Sequence, residues 1–317
     1  NSFNNGAYVL VNSEVESNKS ALAKLNSGAN LLVFKSTKKD TNWAVVIKGV
    51  EFQYIQVQFD IQSMEEFQAL HKLLLKEPNI QYNFDIHSND WSKENFILIA
   101  EQFKSSQVRF CAVNGFKIQQ TGANAMQEIA FSLSTSKTYL DLLIEAGFTI
   151  DQASACITFN IGIGSNYFIE TAKFRALKAG WAKIIRQYNP EHNCSYNCHI
   201  TAVTTHLNKS LSDPHTNLLR QSTEAMSAIN AGVDNVVILP YDLYSENGAS
   251  IQAERMALNI STILAEESYL NKVIDPLAGS YSVENLTHFL GKKSWDLLLN
   301  ILSKGGILSE NGIKLMN

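Results

Sequence analysis

Residues 156–188, CITFNIGIGSNYFIETAKFRALKAGWAKIIRQY, decide the fold. The stretch begins with Cys156–Ile161, a run rich in β-branched and aromatic residues that is typical of a strand. After the turn residues GIG, apolar side chains recur between Phe168 and Tyr188 with the 3.6-residue period of a helix. A strand followed by such a helix is the repeating unit of a parallel sheet.

The same unit recurs on both sides of this stretch. Seven more strand-type runs are Ala7–Asn12, Leu31–Phe34, Tyr54–Ile61, Ile80–Ile86, Val108–Val113, Cys198–Thr204 and Val236–Leu239. Helical periodicity separates most of them, in Glu65–Leu75, Lys93–Phe103, Asn124–Ala146, Asn217–Asn230 and Glu254–Glu266. We interpret Asn124–Ala146 as two helices and expect no helix within Leu32–Phe59. Eight repeats favour an α/β fold closed into a (β/α)8 TIM barrel over an open sheet.

The barrel is predicted to occupy mostly Ala7–Glu266, with extra C-terminal helices after about Asp275, as one domain over residues 1–317. Three strands alternate apolar residues with the polar set Gln56, Gln58, Asp60, Asn83, Asp85, His87, Thr158 and Asn160. Because the apolar side faces the helices, the bore is predicted to be polar, unlike the branched aliphatic filling of an ordinary TIM barrel. Water or a threaded ligand would then pair these groups, or some of them lie at strand ends near solvent.

Composition excludes several classes of protein. The 317 residues include 26 basic and 30 acidic side chains, a net charge of −4, which leaves no basic footprint for nucleic acid. No apolar run approaches the roughly 20 residues that span a membrane, and the first residues do not form a signal peptide. Four cysteines in a chain of this length do not indicate a disulfide framework, so a cytoplasmic setting is expected.

Three short motifs could carry chemistry, and each has a purely structural alternative. The first motif comprises His192, Cys194, Cys198 and His199. These residue types bind zinc, but their spacing matches no closed structural site, so no metal site is predicted. Asp85–His87, a D-x-H, either binds a metal or orients an imidazole, or is simply polar at the barrel mouth. Gly162–Gly164, a G-x-G, is either an anion cradle or a tight turn.

Four longer motifs resemble those of the methylmalonyl-CoA mutase family. Residues 159–176, FNIGIGSNYFIETAKFRA, followed by Trp181, resemble its FFFAIGxNFFMEIAKLRAAR…W signature. Residues 121–131, TGANAMQEIAF, resemble AGAN…QELAF; residues 213–226, DPHTNLLRQSTEAM, resemble DPYNNVIRT..EAM; residues 273–284, VIDPLAGSYSVE, resemble VIDPLAGSYYVE. The likeness runs in order from about Gly115 to Gly306. Asn18–Phe34 is similar to the small, non-catalytic type of subunit in the heterodimeric enzymes.

The resemblance implies a barrel whose bore holds the pantetheine arm of an acyl-CoA. Adenosylcobalamin, on a separate domain, caps the barrel, and its cobalt–carbon bond breaks to start a radical rearrangement. In this family that reaction interconverts methylmalonyl-CoA and succinyl-CoA. The predicted polar bore agrees with a threaded ligand. If the bore is open, the implied substrate contacts are Thr158, Asn160 and Lys173.

Other positions depart from the active members of the family. Where these carry GYHMQE, residues 115–120 read GFKIQQ, which removes a tyrosine hydroxyl and replaces a neutral imidazole with a cation. RTHCQTSG becomes HITAVTTH at 199–206, LHTN becomes VILP at 237–240, and an arginine that faces CoA phosphate becomes Cys156. The degenerate mouth positions are Phe116, Lys117, Gln119, Gln120, His199, Val203, Ile238 and Leu239. The cobalamin signature D-x-H-x-x-G is missing, so we expect no cobalamin domain and a cofactor bound by a partner chain.

Two hypotheses follow for the function. In the first, the chain is a small subunit that stabilises a large catalytic mutase subunit in a heterodimer, forms a homodimer in isolation, and carries no catalytic residue. In the second, it is the substrate barrel of an active acyl-CoA mutase whose cobalamin domain is separate or missing. A radical enzyme needs preorganised donors around the substrate carbonyl, which the mouth residues do not supply. This favours the first hypothesis and predicts a narrowed bore, with Lys117 reaching into the substrate space and an apolar patch exposed on the isolated chain.

Overall fold

The computed structural model describes residues 3–38, 40–75, 77–86, 92–104, 108–246 and 248–309. All eight predicted runs form strands: β1 (Asn4–Val11), β2 (Leu31–Ser36), β3 (Gln56–Asp60), β4 (Ile80–Phe84), β5 (Arg109–Asn114), β6 (Ile157–Ile163), β7 (Ile200–Thr204) and β8 (Asn235–Val237). Neighbouring strands are parallel, and β1 pairs with both β2 and β8, so the sheet is closed. The predicted (β/α)8 TIM barrel is confirmed.

Helices surround the barrel. In the described ranges they are α1 (Glu14–Asn26), α2 (Trp43–Val46), α3 (Met64–Leu74), α4 (Lys93–Phe103), α5 (Gly115–Gln120), α6 (Ala125–Glu145), α7 (Ile150–Ala155), α8 (Tyr167–Arg186), α9 (Thr216–Asn230), α10 (Ile251–Glu266) and α11 (Tyr281–Ser303). The interpretation of Asn124–Ala146 as two helices is wrong, because α6 is continuous. No glycine or proline interrupts it, and Asn124 and Gln127 form a capping box at its start.

The prediction missed two helices near the N-terminus. The buried positions of α1 are Ser17, Ala21 and Lys24, so this helix presents no apolar stripe that a period could reveal. The single turn α2 lies within the segment that was expected to contain no helix, where Trp43 and Val46 are buried. Both helices are short or polar, and packing against the barrel stabilises them more than their own sequence does.

The main core lies between the outer face of the barrel and the helices. Phe34 and Phe59 stack with ring centroids 5.4 Å apart, and Trp43 meets Phe59 edge-on at 5.4 Å. These residues are outward-facing, so the alternate positions of the same strands face the bore. In β3, β4 and β6 the apolar residues of the alternating pattern therefore face the helices, and the polar residues face the bore.

The C-terminal extension predicted after Asp275 is present as α11, which packs on α6 and α8. Arg175 of α8 anchors it, with its Nε 3.1 Å from Asp275 Oδ2 and its Nη2 2.7 Å from Glu284 Oε1. The same guanidinium donates to the Thr287 hydroxyl. This network fixes the extension on the side of the barrel, away from the strand ends.

Candidate functional site

A cavity of about 640 Å³, here called the mouth cavity, opens at the C-terminal ends of the strands. Active sites of TIM barrels are built at this end. One wall is polar and comes from the ends of β3 to β6, with Asp60, Asn83, Asp85, Asn114 and Asn160. The opposite wall is apolar and contains Leu10, Ile238, Leu239, Pro240 and Leu243. The mouth cavity is thus amphipathic, with a volume in the range of small-molecule sites.

A chain of hydrogen bonds orders the polar wall. Gln81 Nε2 donates to Asn83 Oδ1 at 2.7 Å, and Asn83 Nδ2 donates to Asp60 Oδ1 at 2.7 Å. Burial raises the pKa of the Asp60 carboxyl above its usual range, against the bond from Asn83 and the nearby lysines. Asp60 forms no ion pair within the described ranges.

Lys117 lies at the mouth, where the family's active members carry a histidine. It is in α5, which begins directly after β5, and Asn114 Oδ1 caps that helix by accepting from the Lys117 backbone N–H. The Lys117 ammonium is 2.6 Å from Asp85 Oδ2, and both residues line the mouth cavity. The cation that replaces the imidazole is therefore held by a carboxylate of the neighbouring strand.

Below the mouth cavity, one side of the bore is filled with aliphatic side chains. This bore cluster consists of Leu31, Val33, Val203, Val237 and Leu239. Phe116 packs against it. A Cβ atom at Gly6 would lie 2.7 Å from Val237 Cγ2 and 2.9 Å from Leu31 Cδ2, closer than real contacts allow. At Gly6 the bore cluster therefore approaches the β1 backbone too closely to admit a side chain, although Gly6 still borders the mouth cavity.

The rest of the lower bore is polar, and its side chains are partly paired with one another, although Gln58 Oε1 is buried without a hydrogen-bond partner. Gln58 and Asn235 both donate to Thr201 Oγ1, at 3.3 and 3.0 Å, and Asn4 donates to Asn235 Oδ1 at 2.8 Å. Gln58 is 1% exposed, so it does not lie at a solvent-exposed strand end. Side chains from across the barrel therefore pair the Gln58 amide N–H group, whereas Gln58 Oε1 still needs the donor that water or a ligand would supply.

The two β6 residues proposed as substrate contacts differ in environment. Thr158 is fully buried in the lower bore and donates weakly to the His199 carbonyl at 3.5 Å. Asn160 lines the mouth cavity, is 8% exposed, and its Oδ1 has no hydrogen-bond partner. An unpaired buried amide oxygen is costly, so Asn160 is the better candidate for contact with a ligand.

Lys173 does not line the bore, which corrects its assignment as a substrate contact. It projects from α8 behind β6, where its Nζ is 2.7 Å from Glu128 Oε2 and 2.5 Å from Glu170 Oε2 and donates to the Gly162 carbonyl. The Lys173 and Glu128 side chains are each 1% exposed. Lys173 lies here and not in the bore because a cation this deeply buried requires opposite charges, which Glu128 and Glu170 provide.

Burial raises the pKa of Glu128 from 4.5 to about 7, although Lys173 acts in the opposite direction. A carboxyl whose pKa is higher folded than unfolded stabilises the fold below its unfolded pKa, and this contribution is lost as pH rises through about 7. We expect Glu128→Gln, which keeps an acceptor for the Gly162 N–H, to flatten the decline of unfolding free energy between about pH 5 and pH 8. Urea denaturation at a series of pH values measures this.

The slope that remains in Glu128→Gln should come partly from Glu66, whose pKa is also raised to about 7 by burial. Glu66→Gln is therefore a matched control that removes a comparable titration elsewhere in the barrel. A pH profile identical in the wild type and in Glu128→Gln would contradict the assignment.

The G-x-G motif is engaged within the protein. The Gly162 N–H donates to Glu128 Oε1 at 2.8 Å, and Gln119 covers Gly162 so closely that a Cβ there would be 2.1 Å from its Oε1. Gln120 donates both to Gln119 Oε1 and to Thr205 Oγ1. Gln119 and Gln120 thus pack over the β6 turn, and this N–H is not available to a phosphate.

The other degenerate positions do not all lie at the mouth. His199 precedes β7, at the opposite end of the barrel, where its Nδ1 is 3.5 Å from Asp234 Oδ2. Its prediction as a mouth residue is wrong, because a residue before a parallel strand lies at the N-terminal end of the barrel. Val203 belongs to the bore cluster. Ile238 and Leu239 do line the mouth cavity.

The motif of His192, Cys194, Cys198 and His199 is not arranged as a metal site. Within the described ranges no three His, Cys, Asp or Glu side chains come together as a metal site. Cys194 is exposed, whereas Cys198 is buried and desolvation raises the pKa of its thiol well above the usual value. Asp85 belongs to the polar wall, and its D-x-H partner His87 lies outside the described residues.

Sequence reasoning missed several residues of the mouth cavity, among them one on each of the first two strands. Tyr8 and Lys35 line it, from β1 and β2 respectively. The signal for Tyr8 was present, since it alternates with Ala7 and Val9, which are buried against the helices. Lys35 follows four consecutive apolar residues, and such a run gives no indication of which face is inward.

Comparison with known proteins is consistent with this architecture. Among the described residues, no helix is long and apolar enough to cross a membrane. The sequence model for methylmalonyl-CoA mutase matches residues 92–313. The chain is 33% identical over 320 residues to the methylmalonyl-CoA mutase small subunit of Porphyromonas gingivalis, covering 94% of this chain and 52% of that protein.

Two further relatives match a shorter part of the chain. The methylmalonyl-CoA mutase of Rhizobium meliloti is 33% identical, covering 62% of this chain and 27% of its own length. The large subunit of Propionibacterium freudenreichii subsp. shermanii is 31% identical, covering 65% of this chain and 28% of its own length. The chain spans about half the length of the small subunit, and less of the others. The match to the family's sequence model, which extends over more than half of the chain, shows that the chain belongs to the methylmalonyl-CoA mutase family.

Proposed function

We propose that this chain acts as the non-catalytic small subunit of a heterodimeric, adenosylcobalamin-dependent methylmalonyl-CoA mutase. The observation that carries the proposal is the filled bore. A threaded pantetheine arm needs a lining of small residues, whereas Leu31, Val33 and Val237 fill one side of the bore, and Leu31 and Val237 lie against the backbone at Gly6. On this proposal the chain provides a folded partner surface, and the chemistry belongs to the large subunit.

The extent of the sequence similarity supports the small-subunit role. The likeness to the small subunit of Porphyromonas gingivalis includes nearly the whole chain, whereas the likeness to the large subunit above covers 65% of it. Because the family's sequence model begins at residue 92, a likeness over 94% of the chain must extend over most of residues 1–91. Leu31 and Val33 of the bore cluster belong to this part of the chain, whereas Val203, Val237 and Leu239 lie within the segment that the family's sequence model matches.

The residues of the mouth cavity do not fit adenosylcobalamin as a resident cofactor. The described lining contains no histidine that could ligate cobalt. Lys117, which occupies the position of the family's imidazole, is already paired with Asp85. We therefore propose that the large subunit binds the cofactor. The open mouth cavity is the observation that favours the alternative, an active substrate barrel, and the experiment below separates the two.

The test reconstitutes the complex. This chain is co-expressed with the large subunit from the same cell, and we expect a stable one-to-one heterodimer that buries more than about 2,000 Å². Mutase activity should be present in the complex and absent from this chain with added cofactor. Lys117→Met in this chain should leave kcat and KM of the complex within about twofold, because on this proposal the mouth of this barrel takes no part in the chemistry.

Two outcomes would overturn the proposal. One is turnover of methylmalonyl-CoA by this chain when adenosylcobalamin is added. The other is a loss of kcat in the Lys117→Met complex while the heterodimer remains intact in size-exclusion chromatography. Either result would favour the active-barrel alternative.

A further inference from the structure

The charges that line the mouth cavity are matched except for two. Lys24 pairs with Glu254 at 2.7 Å and Lys117 pairs with Asp85 at 2.6 Å. In the described part of the chain, Lys35 and Asp60 form no ion pair or charge-to-charge hydrogen bond. One exposed cation and one partly buried anion thus lack a direct partner, although Lys35 attracts the Asp60 carboxylate from a longer distance.

These two residues lie side by side at the rim. Lys35 of β2 and Asp60 of β3 are register partners in neighbouring parallel strands, so their side chains leave the sheet on the same inward face. Asp60 is partly buried and its carboxyl has one hydrogen bond, from Asn83. A group that supplied both an ammonium and a carboxylate would satisfy both residues at once.

One hydrogen-bond acceptor in the wall of the mouth cavity has no donor. Asn160 Oδ1 is buried in the wall without a partner, and the Tyr8 side chain lines the same space. Asn160 needs a donor, and a water or a ligand N–H would supply one. Across the cavity, Leu10, Leu239 and Leu243 offer an apolar surface to the rest of a ligand.

We propose that the mouth cavity binds a free amino acid with an apolar side chain. Its ammonium group would lie between Asp60 and Asn160 Oδ1, its carboxylate would pair with Lys35, and its side chain would pack on the apolar wall. The lining has three lysines and three carboxylates, so a zwitterion leaves the cavity electrically balanced, whereas a purely anionic or cationic ligand does not. This inference goes beyond the subunit role and does not depend on it.

Isothermal titration of the whole chain near pH 7 tests the proposal with three matched probes. L-norleucine has both head groups, pentylamine lacks the carboxylate, and hexanoate lacks the ammonium. We expect L-norleucine to bind at least about tenfold more tightly than either of the others, because pentylamine leaves Lys35 and hexanoate leaves Asp60 without a partner.

Three variants locate the site. Lys35→Met and Asp60→Asn should each weaken L-norleucine binding at least about tenfold, because each removes one charge pair. Asn160→Ala should weaken it less. Lys93→Met is the matched control, since Lys93 pairs with Glu145 outside the mouth cavity and should leave binding unchanged. Thermal melting confirms that each variant is folded.

Several results would overturn the proposal. These are no binding of L-norleucine at millimolar concentration, equal binding of all three probes, or unchanged binding in both folded charge variants. Heterodimer formation, measured on the same preparations, reports separately on the subunit role.

Discussion

Replacing Lys173 with methionine is expected to lower the free energy of unfolding by about 3–5 kcal/mol. The Lys173 ammonium lies between Glu128 and Glu170, and its side chain is 1% exposed. Methionine fills a similar volume but leaves two buried carboxylates without a cation. Only 1% of the Glu128 side chain and 9% of the Glu170 side chain are exposed, so water would not replace the lost ion pairing.

Urea denaturation at pH 7 measures the change. Lys72→Met is the matched control, because Lys72 is exposed on α3 and its loss should change stability by less than about 0.5 kcal/mol. Adding Glu128→Gln to Lys173→Met should recover part of the lost unfolding free energy, since the second substitution removes one of the two unpaired carboxylates. A Lys173→Met variant within about 1 kcal/mol of the wild type would contradict the assignment.

The buried cluster explains why some family motifs are retained in this chain. QEIAF supplies Glu128, and ETAKFRA supplies Glu170 and Lys173. These side chains join α6, α8 and β6 behind the barrel wall and do not line the mouth cavity. They stabilise the scaffold, so they are needed whether or not the mouth performs chemistry.

The fold could be predicted from the sequence because period-two alternation sorts side chains to two faces. Gln58 and Val57 illustrate this, one in the bore and the other against the helices. The same logic fails for α1, whose buried positions are small or polar. It also placed a break in α6 that neither a glycine nor a proline requires.

The site was harder to predict, because its properties depend on pairs of residues distant in sequence. Lys173 has the residue type of a ligand contact, and only its proximity to Glu128 shows that it is structural. The bore cluster escaped notice because Leu31 and Val33 belong to a run that is apolar on both faces. Gly6 gave no signal, since its importance lies in contacts with β2 and β8.

Leu31→Ala is expected to lower the free energy of unfolding by about 2–5 kcal/mol. Leu31 is fully buried in the bore cluster, and its Cδ2 lies against the backbone of Gly6. Barrel strands cannot move together to close the resulting space, so a cavity remains and adds to the lost burial. Leu73→Ala, at a position 48% exposed on α3, is the matched control and should cost little.

The same variant links stability to function. If the large subunit performs the chemistry, a heterodimer containing Leu31→Ala should keep its mutase activity within about twofold at temperatures below its own melting transition, because nothing threads this bore. Activity and circular dichroism are followed together during heating, and both should fall at the same, lower temperature. A loss of kcat while this subunit is still folded would mean that the interior of its barrel takes part in turnover, and the proposed non-catalytic role would be wrong.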